Sequence, residues 1–318
     1  MMQRDPARRP EWLAAAAQRA GSLARGLVAR VDAALGYPHL RRRFRRRVGY
    51  APDFDNPRSF NEKINWRKLH DRASVYPVIS DKARMPEYLA LRFGAERAAA
   101  LVPPRRLVTA RPTAANLAAA GTGVAIKASH GSGWVRIVAA GESPDWRALA
   151  AEARGWLRQV YGQTRQEWAY WRITPQIVVE ELILKADGAP ADDIKIAVMQ
   201  GRAVYLFVEA DRFSAHRLSY YTPDWQPLEV AMGRNPVGSH RPPPARLAEM
   251  VALAEEIGRD FDYIRVDLLD GAGGFRVNEL TLYRSSGLAA IDPPELDWQW
   301  GEAWRHRPYR GIWPEDRR

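Results

Sequence analysis

The 318-residue chain contains no cysteine, which excludes disulfide scaffolds, zinc–thiolate centres and cysteine nucleophiles together. Its six histidines never fall into an H-x-x-x-H or related ligand spacing, so no transition-metal site is expected. No window approaches the roughly eighteen uninterrupted apolar residues of a membrane span. The opening "MMQRDPARRPEWLAAAA" is too short in its apolar part, and too rich in alanine, for a secretory signal. The expectation is a cytoplasmic protein. Lysine is missing from residues 1–50, which carry twelve arginines against Asp5, Glu11 and Asp32, a net +9 of the chain's +11. A nucleic-acid reader would carry its basic surface on the folded body, so no nucleic-acid partner is expected.

With 46% hydrophobic residues the chain can bury a sizeable core and divide into subdomains around one cleft. From Glu11 to Leu35 the pattern is helical, with Leu23, Leu27, Val31 and Leu35 four apart and Arg19, Arg25 and Arg30 mostly off that stripe. "RRRFRRR" follows at 41–47. Residues 1–50 therefore read as a basic helical arm, either resting on anionic lipid at the inner face of the membrane or packed as a solvated helix on the body. Beyond it, "DNPRSFNEKINWRKLHD" offers Ser59 and Glu62 in capping-box spacing. "SDKARMPEYLALRFG" reads as a helix ending near Gly94, "ALVPPRRLVTA" as a short strand, and "TAANLAAAG" as a small helix. Residues 145–170 read as helical and aromatic-rich. "PQIVVEELI" is a buried strand, and hairpins are expected with tips at Gln200-Gly201 and Gly271–Gly274, separated by the helix "PARLAEMVALAEEIGR". This order gives an α+β fold with mixed sheets.

Three features carry chemistry. In "VAIKASHGSGWVRIV", residues 124–138, Lys127 sits inside an apolar strand four residues before Gly131-Ser132-Gly133. A half-buried ammonium calls for an anion, and the backbone N–H groups of a tight glycine turn favour phosphate oxygens. The G-x-x-x-x-G-K-[ST] order is absent, so this is no Walker loop. Asp267 in "IRVDLL" and Glu279 in "RVNELT" lie across a tight hairpin, near enough to share a hard cation such as magnesium or simply to face water. Arg265, two residues before Asp267, shares its strand face. Glu180 and Glu181 close the strand "VVEEL", where a backbone edge and a carboxylate can meet adenine and ribose.

The order of strand lysine, glycine loop, "VVEELI", "DIKIAVMQG", "YIRVDLL" and "NELTLYRSSGL", preceded by "NPRSFNEKINWRKLHD" and "SDKARMPEYL", resembles the TupA-like family of the ATP-grasp superfamily, linked to teichuronopeptide and cell-surface polysaccharide biosynthesis. The resemblance runs from about Asn56 to Asp297 and leaves out the first fifty residues. It implies an ATP-grasp fold, two α+β subdomains clamping ATP, with the glycine hairpin as a lid: a basic arm at 1–50, the N-terminal part of the body at 51–120, the lid subdomain at 121–182, and a C-terminal subdomain with the Mg²⁺ site at 183–318. By the same resemblance Lys82 and Lys127, with Gly131, Ser132 and Gly133, touch the ATP phosphates. Glu180, Glu181 and Leu182 hold adenine and ribose, and Asp267 and Glu279 hold magnesium. Lys195, Arg265 and Arg284 serve the transferring group and acceptor. Thr281 stands where the superfamily has asparagine, which puts a second magnesium in doubt.

The activity so implied is an ATP-dependent carboxylate–amine ligase working through an acyl phosphate, with carboxylate and amine substrates on a surface glycan. Two rivals stay open. The D-x-D triplets Asp53-Phe54-Asp55 and Asp260-Phe261-Asp262 suit a metal-dependent glycosyltransferase. Thr281 and Lys195 leave room for a non-catalytic ATP-grasp scaffold.

Overall fold

The computed structural model describes residues 11–210, 217–234, 236–309 and 311–316. Helix α1 (Glu11–Ala34) leads through Gly36 into α2 (Pro38–Val48). The join is made by Asp32, whose carboxylate accepts the N–H groups of His39 at 2.6 Å and Leu40 at 3.3 Å. It thereby caps a helix whose own N-cap residue, Tyr37, offers no side-chain cap. Helix α2 buries Leu40 and Phe44 against Phe54, Leu69 and Leu288. "RRRFRRR" is thus part of a helix packed on the body through Leu40 and Phe44. No helix among the described residues is long and apolar enough to cross a membrane.

Helix α3 (Phe60–His70) opens on the expected capping box: Glu62 N–H donates to Ser59 Oγ at 3.1 Å, and Ser59 N–H donates to the Glu62 carboxylate at 3.0 Å. Hydrophobic periodicity describes this helix poorly, because both of its buried faces are partly polar. On one, Arg67 is fully enclosed in an ion pair with Asp262 and stacks 4.6 Å from the Trp304 ring. On the other, Asn61, Asn65 and Lys68 run at i, i+4 and i+7. Three short helices follow, α4 (Val75–Ser80), α5 (Met85–Phe93) and α6 (Ala95–Leu101).

A four-stranded sheet comes next, in the order β1-β4-β2-β3, from β1 (Arg105–Thr109), β2 (Val124–Ala128), β3 (Val135–Val138) and β4 (Ile177–Glu181). Helices α7 (Ala114–Ala120) and α8 (Trp146–Leu157) cover one face through Leu117, Ala153 and Trp156 on Ile126 and Val179. Strand β1, which precedes residue 121, shares this sheet with the glycine hairpin β2–β3. The helical stretch 145–170 holds two α-helices with a turn between them. α8 stops at Leu157, and Gly162 and Gln166 take left-handed backbone before the short α9 (Trp168–Trp171). A Cβ at Gly162 would lie 2.5 Å from the Glu167 carboxylate, so the chain turns there to bury Glu167.

The second sheet has six strands in the order β11-β10-β5-β6-β7-β8: β5 (Asp192–Met199), β6 (Arg202–Ala210), β7 (Arg217–Tyr221), β8 (Pro227–Leu228), β10 (Tyr263–Gly271) and β11 (Gly274–Thr281). Between them β9 (Ala231–Met232) pairs with β12 (Ile291–Asp292). Gln200 and Gly201, both at positive φ, make the tight β5–β6 turn. Helix α10 (Leu247–Gly258) packs on this sheet, and α11 (Glu295–Ala303) packs on α3. Among the described residues every strand ladder is antiparallel, where mixed sheets were expected, and the one parallel pairing is the isolated bridge between Leu218 and Val237.

Candidate active site

The site is written across three neighbouring strands. Lys195 on β5, Asp267 on β10 and Glu279 on β11 are direct cross-strand partners in one row. Side chains alternate along a strand, so Arg265 projects from the same face as Asp267. Its guanidinium grips both carboxylate oxygens, Nε to Oδ1 at 2.6 Å and Nη2 to Oδ2 at 2.7 Å, and also donates to Thr281 Oγ at 3.0 Å. Thr281, in the place of the superfamily's asparagine, is therefore the prop that holds this arginine. Lys195, 4% exposed, lies 3.5 Å from Asp267, 3.7 Å from Glu209 and against Asp193.

Two opposed effects set these charges. Burial pushes the Asp267 carboxyl up, but the adjacent Arg265 and Lys195 cations more than offset it and hold it below the usual carboxylate range. Burial would pull the Lys195 ammonium down, but Asp193, Asp267 and Glu209 hold it above its ordinary value. Asp267 and Lys195 thus each favour the charged form of the other.

Just past Asp267 the β10–β11 register slips, Leu268 pairing with Val277, so Asn278 is the extra residue of a bulge. Bulges re-aim side chains, and this one sends Asn278 toward the four-stranded sheet. There its Oδ1 accepts from Lys127 Nζ at 2.9 Å, while Lys127 also pairs with Glu180 at 2.7 Å. Lys127 thus bridges the two sheets. Lys82, in the turn after α4, makes a second bridge: its ammonium donates to the Gly131 carbonyl at 2.7 Å and lies 3.7 Å from Glu279. A Cβ at Gly131 would fall 2.7 Å from the Trp134 ring, and Gly133 has φ +80°, so both glycines of the loop are required by its shape. Ser132 lies at the rim of a 180 Å³ cleft shared with Lys195, Arg265, Asp267, Asn278, Glu279 and Arg284. Arg284 donates to the Tyr220 hydroxyl at 2.5 Å and stacks 4.1 Å over the Phe207 ring.

Glu181 and Leu182 are not brought to this cleft. Strand alternation turns Glu181 to the opposite face from Glu180, where it pairs with Arg106 at 3.2 Å, and the Leu182 N–H is spent on the Gly123 carbonyl. The D-x-D reading fails on commitment of its carboxylates. Asp262 is buried against Arg67, Asp260 accepts from Tyr88 and Arg92, Asp53 caps its own turn through the Asp55 and Asn56 N–H groups, and Asp55 pairs with Arg41. Asp193, Glu209, Asn278 and Glu167 were not anticipated. Only the unusual run of charge within and at the ends of β5 and β6 could have marked the first two.

Among the described residues no group of three or more His, Asp or Glu is arranged to hold a metal by itself. Asp267, Glu279 and the Asn278 carbonyl do fit a magnesium ion that takes one or two carboxylates and completes its shell from water and phosphate.

The model of the TupA-like ATP-grasp family matches residues 62–305. No curated protein matches the chain. Among solved structures, the chain is similar to the ATP-grasp ligase PsnB complexed with minimal precursor, Mg and ADP, at 19% identity over 62% of this chain and 49% of that one, with a TM-score of 0.34. It is also similar to D-alanine–D-alanine ligase from Bacillus anthracis complexed with ATP, at 16% identity over 64% and 55%, TM-score 0.36. A third is N5-carboxyaminoimidazole ribonucleotide synthetase from Thermus thermophilus, at 12% over 64% and 45%, TM-score 0.34. The chain spans about half the length of these three structures. The family match covers well over half of the sequence, and the chain belongs to the TupA-like ATP-grasp family.

Proposed function

We propose that this protein is an ATP-dependent carboxylate–amine ligase of cell-surface polysaccharide or glycopeptide biosynthesis, acting through an acyl phosphate. The observation that carries the reading is the convergence of Lys127 and Lys82 from one side and Lys195 and Arg265 from the other on the Asp267–Glu279 hairpin. These four cations now lie against carboxylates and Asn278, and a polyphosphate is a ligand that could engage them all together.

In this reading Lys127 and Lys82 exchange Asn278 and Glu279 for phosphate oxygens, and the Ser132 loop closes over them. The Arg265 fork passes from Asp267 to the γ-phosphoryl group. Asp267 and Glu279 would hold magnesium, which would supply charge neutralisation to the phosphates. The substrate carboxylate attacks the γ-phosphorus and ADP leaves; the amine then adds to the acyl carbon and inorganic phosphate is expelled. Side chains need only position and neutralise, which suits a chain without cysteine. The 180 Å³ cleft is below the ~300–1,000 Å³ usual for such ligands, so nucleotide entry requires the four-stranded sheet to move off the six-stranded one. Incubation with ATP, Mg²⁺ and acid–amine pairs is expected to release ADP and phosphate in step with product. Release of AMP, or binding without turnover for any pair, would contradict the ligase reading.

A peripheral contact with anionic lipid is part of the proposal. Helix α1 touches the body on one side through Gln18 and Ser22, yet exposes Leu23, Leu27, Val31 and Leu35 on another, with Leu23 at 76%. An apolar stripe beside the exposed Arg25 and Arg30 is the pattern of a helix lying in an anionic interface.

A further inference from the structure

The 180 Å³ cleft holds one carboxylate that the phosphate site does not use. Asp193, Glu209 and Asp267 lie against Lys195, and Glu279 lies against Lys82. Glu167 lines the same cleft at 3% exposure, and no ion pair to it forms among the described residues. Ser286 donates its hydroxyl to Oε1, while Oε2 is buried without a hydrogen-bond partner among those residues, as is the Tyr283 hydroxyl. A carboxylate oxygen left in this way costs the fold free energy, which the N–H donors of a ligand would offset.

Two turns in left-handed backbone set Glu167 there. Gln166 on its own side has φ of 60°, and Ser285 and Ser286 opposite have 47° and 60°, strained values for residues with side chains. Gln166 is fixed by donating to the Ala29 carbonyl of α1 at 2.9 Å. The serine turn is fixed by α3, where Asn65 donates to the Gly287 carbonyl and Lys68 to the Ser286 carbonyl, each at 2.7 Å. Burial pushes the Glu167 carboxyl up, and Lys68, the Ser286 hydroxyl, Arg165 and Arg43 oppose it only in part, the direction that suits a proton acceptor at neutral pH. Tyr161, Tyr170 and Tyr283 line the same cleft, with ring centroids 4.9 Å apart for the first two and 6.4 Å for the last two. Burial and Glu167 push the Tyr161 hydroxyl up to about 12, and burial raises the other two as well. None of the three therefore gives up a proton near neutral pH, and their ring faces can attract a cation.

We infer that this pocket of one carboxylate and three tyrosines seats a primary amine as its ammonium, and that Glu167 is the base that takes the amine's proton. The inference rests on the ligase reading for the transfer step only. An ammonium is no nucleophile, because its lone pair is tied up in an N–H bond. Glu167 accepts that proton, and the freed lone pair forms the C–N bond at the acyl carbon. The C–O bond to phosphate then breaks, and a second N–H proton leaves with the phosphate as hydrogen phosphate. The proton on Glu167 passes to water as the amide departs. Glu167 shares its cleft with Lys195 and Arg265, so base and phosphoryl site open into one space.

The test is an NMR titration of the full-length protein with ethylammonium, with ethanol as the neutral comparison of similar size. Ethylammonium is expected to bind and ethanol not, and nuclear Overhauser contacts are expected between the ethyl protons and the ring of Tyr161, Tyr170 or Tyr283 in the wild-type protein. Glu167→Gln, which keeps the side chain's shape, should weaken ethylammonium by about tenfold or more and leave Mg-ATP affinity as it is; should the variant not fold, the ring contacts decide. In turnover with ATP, Mg²⁺ and acetate, glutamate or galacturonate as the acid, the variant's ratio of ethylamide to hydroxamate should fall by about a hundredfold or more, because hydroxylamine is already unprotonated at neutral pH and needs no base. Absence of ring contacts in the wild-type protein, equal affinity in the variant, or an unchanged product ratio overturns the inference. Absence of hydroxamate from the wild-type protein with all three acids would instead strike the ligase reading, and the titration alone then decides the ammonium site.

Discussion

Replacing Lys195 by methionine keeps the side chain's length and removes its charge from the most enclosed part of the cleft. Lys195 is 4% exposed, and the carboxylates of Asp193, Asp267 and Glu209 surround it. Arg265 stays bidentate on Asp267, so that carboxylate keeps a partner while Asp193 loses its contact with the Lys195 ammonium. Breaking a buried pair from one side costs roughly 3–5 kcal/mol, a large share of the ~5–15 kcal/mol that holds a domain together. The pH dependence gives the argument its sign. In the wild-type protein the depressed Asp267 carboxyl contributes stability that is present above its unfolded pKa and lost as pH falls through its lower folded value. In Lys195→Met one of the two cations that depress the Asp267 carboxyl is gone, so protonation costs the folded variant less than it costs the wild type and the gap between them narrows as pH falls from 7 toward 5. Urea unfolding at pH 7 and pH 5 measures both. A loss under about 1 kcal/mol at pH 7, or a gap between variant and wild type that widens in acid, would refute the reasoning. Adding Asp193→Asn should recover part of the loss, as expected for residues in contact.

Other outcomes follow from single contacts. Gly287→Ala should destabilise by about 2 kcal/mol or more, because a Cβ there meets the Asn61 carbonyl and the Asn65 amide at 2.6 Å at a φ of +61°; differential scanning calorimetry reads it. Arg67→Met should cost roughly 3–5 kcal/mol in urea unfolding by leaving Asp262 buried without its cation. Thr281→Val removes the hydroxyl that Arg265 donates to at 3.0 Å and should lower kcat of the proposed ligase severalfold with little change in KM for ATP, since only the arginine's aim is lost. Leu27→Asp on the exposed stripe of α1 should abolish flotation with anionic vesicles and leave Mg-ATP binding untouched.

Much of the fold was legible because its signals are local. The Ser59 capping box, the Gln200-Gly201 turn and the β-branched run of β4 each depend on residues a few positions apart. The row Lys195–Asp267–Glu279 could be placed through the order of the blocks, although it joins strands far apart in sequence. What stayed hidden is set by register and by burial of polar groups. Asn278 points at Lys127 only because the ladder slips by one residue. Glu181 looked equivalent to Glu180 until strand alternation separated them. The Asn61, Asn65 and Lys68 face of α3 carries no hydrophobic signal, since it binds loop carbonyls and not apolar side chains. The basic charge of residues 41–47 suggested an outlying arm because composition says nothing of Leu40 and Phe44 anchoring α2 beneath it.

Equilibrium binding of Mg-ATP to the wild-type protein and to Asp267→Asn, followed by calorimetry with both proteins verified as folded, tests the central claim most directly. The account predicts one nucleotide site in the wild-type protein, dependent on Mg²⁺, and an affinity at least about tenfold lower in the variant, since both the metal and the aim of Arg265 depend on that carboxylate. Absence of Mg-ATP binding by the wild-type protein, or equal affinity in Asp267→Asn, would contradict it.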